Sequence, residues 1–312
     1  MTWHGMTAEP VDIRISGLRV NGERDGERSH SPIQIQGMKY GWFDDLEVLG
    51  SSSRGLALLR SMWGRFDGID FPPPNDYASS ADQSTTFVYA TNLRTTAGQY
   101  AVRVGSSGNR VLVDGIRGHD VDNEVINAHH GGFHTEYRNI WATGTGRLAR
   151  LRTRYLLLDG FVDETENRTF QCSGRPDKLI ARNGIIRKGD QRIWRFPDYD
   201  PDREELVVDM TFENIYIEEP YPRGFEEMGR FGVDGYGTRV QNLTFRNITL
   251  GGTPLERHHI EDWQHYDELT ELSRQNIIVE NPDPPTSVDD PRLGPNMERV
   301  PAMDNYPRHS SS

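Results

Sequence analysis

Three stretches concentrate the side chains able to do chemistry. The first is His119-Asp120-Val121-Asp122-Asn123-Glu124, the second His129-His130-Gly131-Gly132-Phe133-His134, the third Arg150-Leu151-Arg152-Thr153-Arg154. Carboxylates beside imidazoles can serve as acid and base near neutral pH, which makes Asp122, His129 and His130 candidate catalytic groups. Arg154 is a further candidate base. The glycine pair after the histidines predicts a tight turn that lets a ligand approach the backbone. A guanidinium presents a planar fork suited to two-point recognition of a carboxylate, so Arg103, Arg150 and Arg152, with His134 and Trp194, are candidate substrate-binding residues for a uronic-acid polymer. The plainer alternatives are that the arginines pair with Asp and Glu from neighbouring segments, and that His129 and His130 satisfy backbone groups at a corner. No metal site is expected. Ca²⁺ is the one conceivable cofactor, but it takes roughly six to eight oxygens, and His119, Asp120, Asp122 and Glu124 offer about half that number.

The elements that must position these residues are written as a repeat. Thr211-Phe212-Glu213-Asn214-Ile215-Tyr216-Ile217 returns 33 residues later as Thr244-Phe245-Arg246-Asn247-Ile248-Thr249-Leu250. Both copies alternate apolar and polar residues with the period of a strand, and a phrase repeated at this spacing marks a solenoid or propeller. Weaker echoes run back up the chain, marked by Gly17, Asp45, Asp114, Asn139, Asp159, Asn183, Asn214, Asn247 and Asn281; from Asp114 onward the steps are 25, 20, 24, 31, 33 and 34 residues. Gly, Asn and Asp tolerate a left-handed backbone, so each mark reads as a corner between strands. Stacked asparagines can also bond from coil to coil. The expectation is an all-β solenoid, a parallel β-helix of about ten coils.

A second set of short strands precedes these corners, at 33–36, 56–59, 101–104, 125–127, 148–152, 170–172 and 192–196. With Val102, Val104, Leu151, Cys172 and Ile193 pointing inward, an outer stripe of Gln34, Gln36, Arg103, Arg150, Arg152, Gln171 and Trp194 is predicted.

From the corner phrase and its echoes, the chain resembles the right-handed parallel β-helix proteins of the pectate-lyase-like superfamily over roughly residues 11–282. That resemblance implies a right-handed coil, an acidic polysaccharide as substrate, lyase or hydrolase chemistry, and an extracellular or cell-surface location. Asp44-Asp45 resembles the paired aspartates of polygalacturonase-type hydrolases, and Ile186-Arg187-Lys188 their basic motif, in a different order and spacing. A lyase needs a base near the sugar C5 proton and a neutralised carboxylate; Arg154 or His130 is the candidate base. The rivals are a glycan-binding adhesin or tailspike-like protein, the latter a homotrimer, and a purely structural solenoid.

Composition narrows the field. The 312 residues carry a formal net charge of −12, which disfavours nucleic acid and anionic membrane as partners. Lysine occurs only at Lys39, Lys178 and Lys188. Cys172 is the single cysteine and alternates with apolar residues, as a buried thiol does. No stretch approaches the ~20 apolar residues of a membrane span. Residues 1–30 show no signal peptide, and strand-like sequence begins at Val11 with little to cap the first coil, so a fragment or a covering partner is expected. Residues 1–282 are predicted as the solenoid and 283–312 as a disordered tail. Long loops are expected at 72–85, 197–204 and 218–236, and a helix at 254–274.

Overall fold

In the computed structural model of the chain, the two copies of the phrase lie side by side as parallel strands, Leu206–Ile217 and Arg239–Leu250, with Thr211 opposite Thr244, Phe212 opposite Phe245 and Ile215 opposite Ile248. The structure describes residues 2–4, 12–24, 27–28, 31–72, 75–82, 85–96, 98–105, 108–129, 131–167, 169–172, 177–187, 193–195, 206–218, 239–256 and 277–301. Across them the chain is an all-β parallel solenoid, with no helix among the described residues. A long sheet of twelve strands and a short sheet of nine run along it, and strands of the two sheets alternate in the chain.

Each long-sheet strand from Asp12–Asn21 to Arg239–Leu250 is folded in two by a left-handed residue near its middle. In Asn109–His119 the inward positions are Val111 and Val113, then Ile116, and Gly115 between them sits at φ +80°. The break in alternation turns both halves of the strand toward one core. The register repeats from coil to coil, so apolar side chains stack in columns. Where the two sheets face each other, Phe161, Phe212 and Phe245 of the long sheet meet Phe170 and Trp194 of the short sheet in edge-on, tilted and stacked contact, with centroids 5.2–6.2 Å apart. Aromatic pairs at such separations add to the gain from buried area. Cys172 is buried in the same core, and burial pushes its thiol pKa up.

The asparagine column is real. The Asn214 amide donates to Asn183 Oδ1 at 3.2 Å and the Asn247 amide to Asn214 Oδ1 at 3.1 Å. Two of the expected corners shift by one residue: the left-handed positions are Gly115 and Gly160, while Asp114 and Asp159 stand just before them and accept from Asn139 and Asn183 at 2.5 and 2.7 Å. Gly68 and Asn92 complete the column where the phrase was too degraded to be seen.

Three expectations are corrected. Six coils carry a short-sheet strand of four residues or more, from Ile33–Gln36 to Arg147–Leu151; beyond these, Phe170–Cys172 and Trp194–Arg195 shrink to three and two. The solenoid therefore has about six well-formed turns rather than ten. The stretch 72–85, expected as a loop, contains the strand Asn75–Asp82, paired on both sides by Ser51–Leu59 and Tyr100–Val104. Flanking ladders offer backbone partners to whatever chain lies between them, and the prolines stand just before the strand, where they cost no ladder bond. Finally, residues 282–301 form no strand, yet they run back along the asparagine corner. Asp283 N–H donates to Asn247 Oδ1, Gly294 N–H to the Asn183 carbonyl and Asn296 N–H to Asn139 Oδ1, at 2.7–3.0 Å. The loops at 197–204 and most of 218–236, the bulk of the helix at 254–274, and residues 302–312 lie outside the described residues. Within the expected helix, Thr253–Pro254 forms a short antiparallel strand.

Candidate functional site

The outer face of the short sheet gathers most of the residues singled out in the sequence. Register aligns Arg103, Asn127, Arg150 and Gln171 in one column across four coils, and Tyr100, Glu124 and Arg147 in another. His129 and Arg152 stand at the strand ends, held by their backbone amides to the Val104 and Ala128 carbonyls at 2.7 and 2.8 Å. Rungs repeat at ~4.8 Å, so the four-coil column spans about 14 Å.

Glu124 is the centre of this cluster and was missed as an acid–base group. It is 1% exposed. Asn127 Nδ2 donates to its Oε1 at 3.5 Å, and Arg150 Nη1 lies 3.7 Å from the same oxygen. Burial raises its pKa from 4.5 to about 7, against the opposing pull of Arg147 and Arg150. Arg147 also donates to Gln171 Oε1. The sequence signal for Glu124 was present, as the last carboxylate of the polar run at the mouth of a strand. Periodicity alone gave no reason to bury it.

The other expected residues divide. Asp122 is exposed, beside the cluster. His130 lies outside the described residues. Arg154 and His134 belong to a different corner, at the start of the long-sheet strands: Arg154 is exposed and pairs in register with Phe133 and Asp177, while the His134 ring stacks on Tyr155 at 4.6 Å. Trp194 is no surface residue. It is 0% exposed in the core, because it takes the inward register of Phe170. Ile193, expected to point inward, is buried in the same core, so strict alternation fails across residues 193–194 and the outward expectation for Trp194 fails with it.

The run His119, Asp120, Asp122, Glu124 does not form a cation site. His119 Nε2 pairs with Asp120 at 3.1 Å, its Nδ1 meets Thr143 Oγ1 at 2.8 Å, and Glu124 faces two arginines that compete with any cation. Among the described residues no group of three or more His, Cys, Asp or Glu is placed to hold a metal ion. Asp44-Asp45 and Arg187 are also separated. Asp45 is a corner residue at φ 53°, Asp44 accepts from Ser16, and Arg187 pairs with Glu164 at 2.8 Å. About six rungs lie between them, some 29 Å, too far for one active site.

Many arginines elsewhere follow the plain alternative. Arg94 pairs with Asp70, Arg182 with Asp159 and Arg246 with Glu280, each across adjacent coils. The short-sheet face differs in having one buried carboxylate for several guanidinium groups. Asp163 is a second buried carboxyl, raised to about 6 by burial, but it bonds the Thr165 amide and hydroxyl at a corner and is structural. Comparison of the chain with models of known families, with curated proteins and with solved structures finds no match.

Proposed function

We propose that the chain acts on an acidic, uronate-containing polysaccharide at the outer face of the short sheet, by lyase or hydrolase chemistry, outside the cell or at its surface. The observation that carries this reading is Glu124, poised near pH 7 beside Arg147 and Arg150, with Arg103 on the preceding rung, in a protein of net charge −12. A carboxyl with that pKa is present as both acid and base at neutral pH, which is what proton transfer at a glycosidic oxygen or a sugar carbon needs. The guanidinium groups would hold and neutralise the uronate beside it. Resemblance to the pectate-lyase-like superfamily supports the same substrate class.

One observation favours binding without cleavage. Glu124 is almost fully covered, and a general acid must come within about 3 Å of the atom it protonates. A ligand that draws Arg150 toward its own carboxylate would uncover it.

The deciding experiment is incubation with a panel of uronate-containing and neutral polymers, for wild type and Glu124→Gln. Wild type should release product from uronate polymers, with an unsaturated product absorbing at 235 nm if the chemistry is elimination. Glu124→Gln should lose at least a hundredfold in turnover and the pH limb near 7. Turnover unchanged in the variant rejects the assignment. Retention of polymer with no new chain ends from wild type selects the binding reading.

A stability measurement checks the pKa itself. Because the folded-state pKa is raised, the stabilising effect of the neutral carboxyl is complete below about 4.5 and is lost as pH rises through about 7. Between pH 5 and pH 8 wild type should lose on the order of 2 kcal/mol more unfolding free energy than Glu124→Gln, which cannot ionise.

A further inference from the structure

The solenoid has a second left-handed corner, and from Trp63 to Lys178 its residues are of the wrong kind for a corner. Trp63, Phe87, Arg110, His134, Tyr155, Lys178, Asp209 and Asn242 all have φ between 49° and 57°. Register stacks them in one column, coil upon coil. Bulky residues rarely take this conformation, and strain of this kind is retained where the side chain has a task.

The side chains form two stacks, one from Lys39 to Arg110 and one from His134 to Lys178. Tyr40 lies against Trp63 at 6.5 Å, Trp63 against Phe87 at 4.3 Å with planes 5° apart, and the Arg110 guanidinium covers Phe87 at 5.1 Å. Further along, His134 stacks on Tyr155 and the Lys178 ammonium covers Tyr155 at 5.0 Å; at the opposite end Lys39 covers Tyr40 at 5.2 Å. Tyr40, Trp63 and Tyr155 are each more than 40% exposed.

Because the rings cover one another's faces, what they present to water is their edges, the positive rim of the ring quadrupole. The charges agree in sign. From Tyr40 to Lys178 the column contains no carboxylate, and Lys39, Arg110 and Lys178 make no ion pair with a described residue. Arg154 flanks the column; at the Lys178 end Asp177 stands beside it and Asp209 is the next rung, where it accepts from the Asn242 amide. Two of the chain's three lysines stand on this ridge. Lys39, Arg110 and Lys178 fall three rungs apart, about 14 Å each, over about 29 Å in all.

We infer that this ridge is a second binding site, which holds an extended anionic glycan along the solenoid axis by its regularly spaced carboxylate or sulfate groups. It shares with the reading above the class of ligand but not the site. The ridge grips the polymer at a distance from Glu124 and contributes affinity rather than chemistry.

The test uses replacements that the corner accepts. Asn is at ease in a left-handed corner, so Arg110→Asn/Lys178→Asn and Trp63→Asn/Phe87→Asn keep the fold, as a retained melting transition verifies. Affinity is measured by titration with size-defined polygalacturonate and with heparin, with neutral dextran and single-stranded DNA as comparisons. Wild type should bind a polyanionic glycan, with carboxylate or sulfate preference read from the two polymers, and should ignore dextran. The cation variant should lose at least tenfold in affinity and most of the salt dependence, the aromatic variant at least threefold. Folded variants that bind as wild type does, equal binding of dextran, or tighter binding of the DNA would each overturn the assignment. Glu124→Gln separates the two sites: lost turnover with unchanged affinity leaves the ridge standing, and a ridge variant with unchanged affinity overturns the ridge whatever happens at Glu124.

Discussion

The two corners of this solenoid make the same demand on the backbone and meet it in opposite ways. One is left-handed at Gly17, Asp45, Gly68, Asn92, Gly115, Asn139, Gly160, Asn183, Asn214 and Asn247, and every residue there is of a kind that bears the conformation cheaply. The other sets Trp63, Phe87, Arg110, His134, Tyr155 and Lys178 in the same conformation, at about 1–2 kcal/mol per residue. At the first corner the side chains spend themselves on the fold, through coil-to-coil amide bonds and the strand-less segment 282–301 laid over them. At the second, stacking along the axis offsets part of the strain, at roughly 0.5–1.5 kcal/mol for each ring pair and 0.5–1 for each cation over a ring. The difference teaches where each corner's energy goes. The asparagine corner stabilises the stack, and the aromatic corner holds a ridge of cations and ring edges at the surface.

The largest break in this comparison should come from the asparagine side. Asn214 donates to Asn183 and accepts from Asn247, which is itself buried. Asn214→Ala removes both bonds, leaves a buried amide without its acceptor and takes away the short polar side chain that eases the left-handed conformation at φ 51°. The expected loss is about 3 kcal/mol in urea unfolding. Asn214→Gly keeps the corner conformation and removes only the amide, so about half of that loss should remain. Equal losses in the two variants would mean that conformation contributes nothing and the contrast between the corners is empty.

A smaller effect, about 2 kcal/mol, is expected from Gly115→Ala. Gly115 has φ +80°, and a β-carbon there overlaps the Arg299 carbonyl of the covering segment; at Gly160 the nearest atom is the Gly294 carbonyl, 3.1 Å away. Two costs are mixed, conformation and collision, and truncation after Pro282 separates them. In the truncated chain Gly115→Ala should cost only about 1 kcal/mol, so the double-mutant cycle should show about 1 kcal/mol of coupling. A cycle that closes at zero would show that 283–301 does not press on the corner in solution.

How much of this was legible follows from the same contrast. The asparagine corner announces itself in sequence, because cheap left-handed residues belong to three types and recur at one place in the phrase. The fold class and the column of Asn183, Asn214 and Asn247 followed from that alone. The aromatic corner is silent, because Trp63, Phe87 and Tyr155 read as ordinary strand residues, and only coordinates reveal their φ. His134 was singled out for its imidazole and turned out to be a rung of that stack. Arg103, Arg150 and Gln171 fell in one column as alternation predicted, while Trp194 did not, since parity in a strand as short as Trp194–Arg195 hangs on a single residue. Glu124 was invisible as an acid–base group because its pKa depends on burial, set against two arginines of the next coil, Arg147 and Arg150. The covering segment escaped for a thermodynamic reason. Composition reports whether a stretch can build a core of its own, and 282–301 instead borrows amide oxygens from the ladder.

The smallest effect on stability is the sharpest probe of the aromatic corner. Tyr155→Asn relieves a left-handed tyrosine but gives up its contacts with His134 and Lys178. The two terms are of similar size and opposite sign, so unfolding free energy should move by no more than about 0.5 kcal/mol. Tyr155→Ala loses the contacts and keeps most of the strain, and should be less stable than the Asn variant by about 1 kcal/mol. At Asn214 the same pair of residues should differ by about 3 kcal/mol, because there the asparagine also bonds its neighbours. A Tyr155→Asn variant that unfolds far more easily than wild type would make the ring stack a structural support, and the two corners would then be one device built from different residues. A variant as stable as wild type, with weakened binding of anionic glycan, shows a side chain kept in a strained position for its contacts outside the molecule.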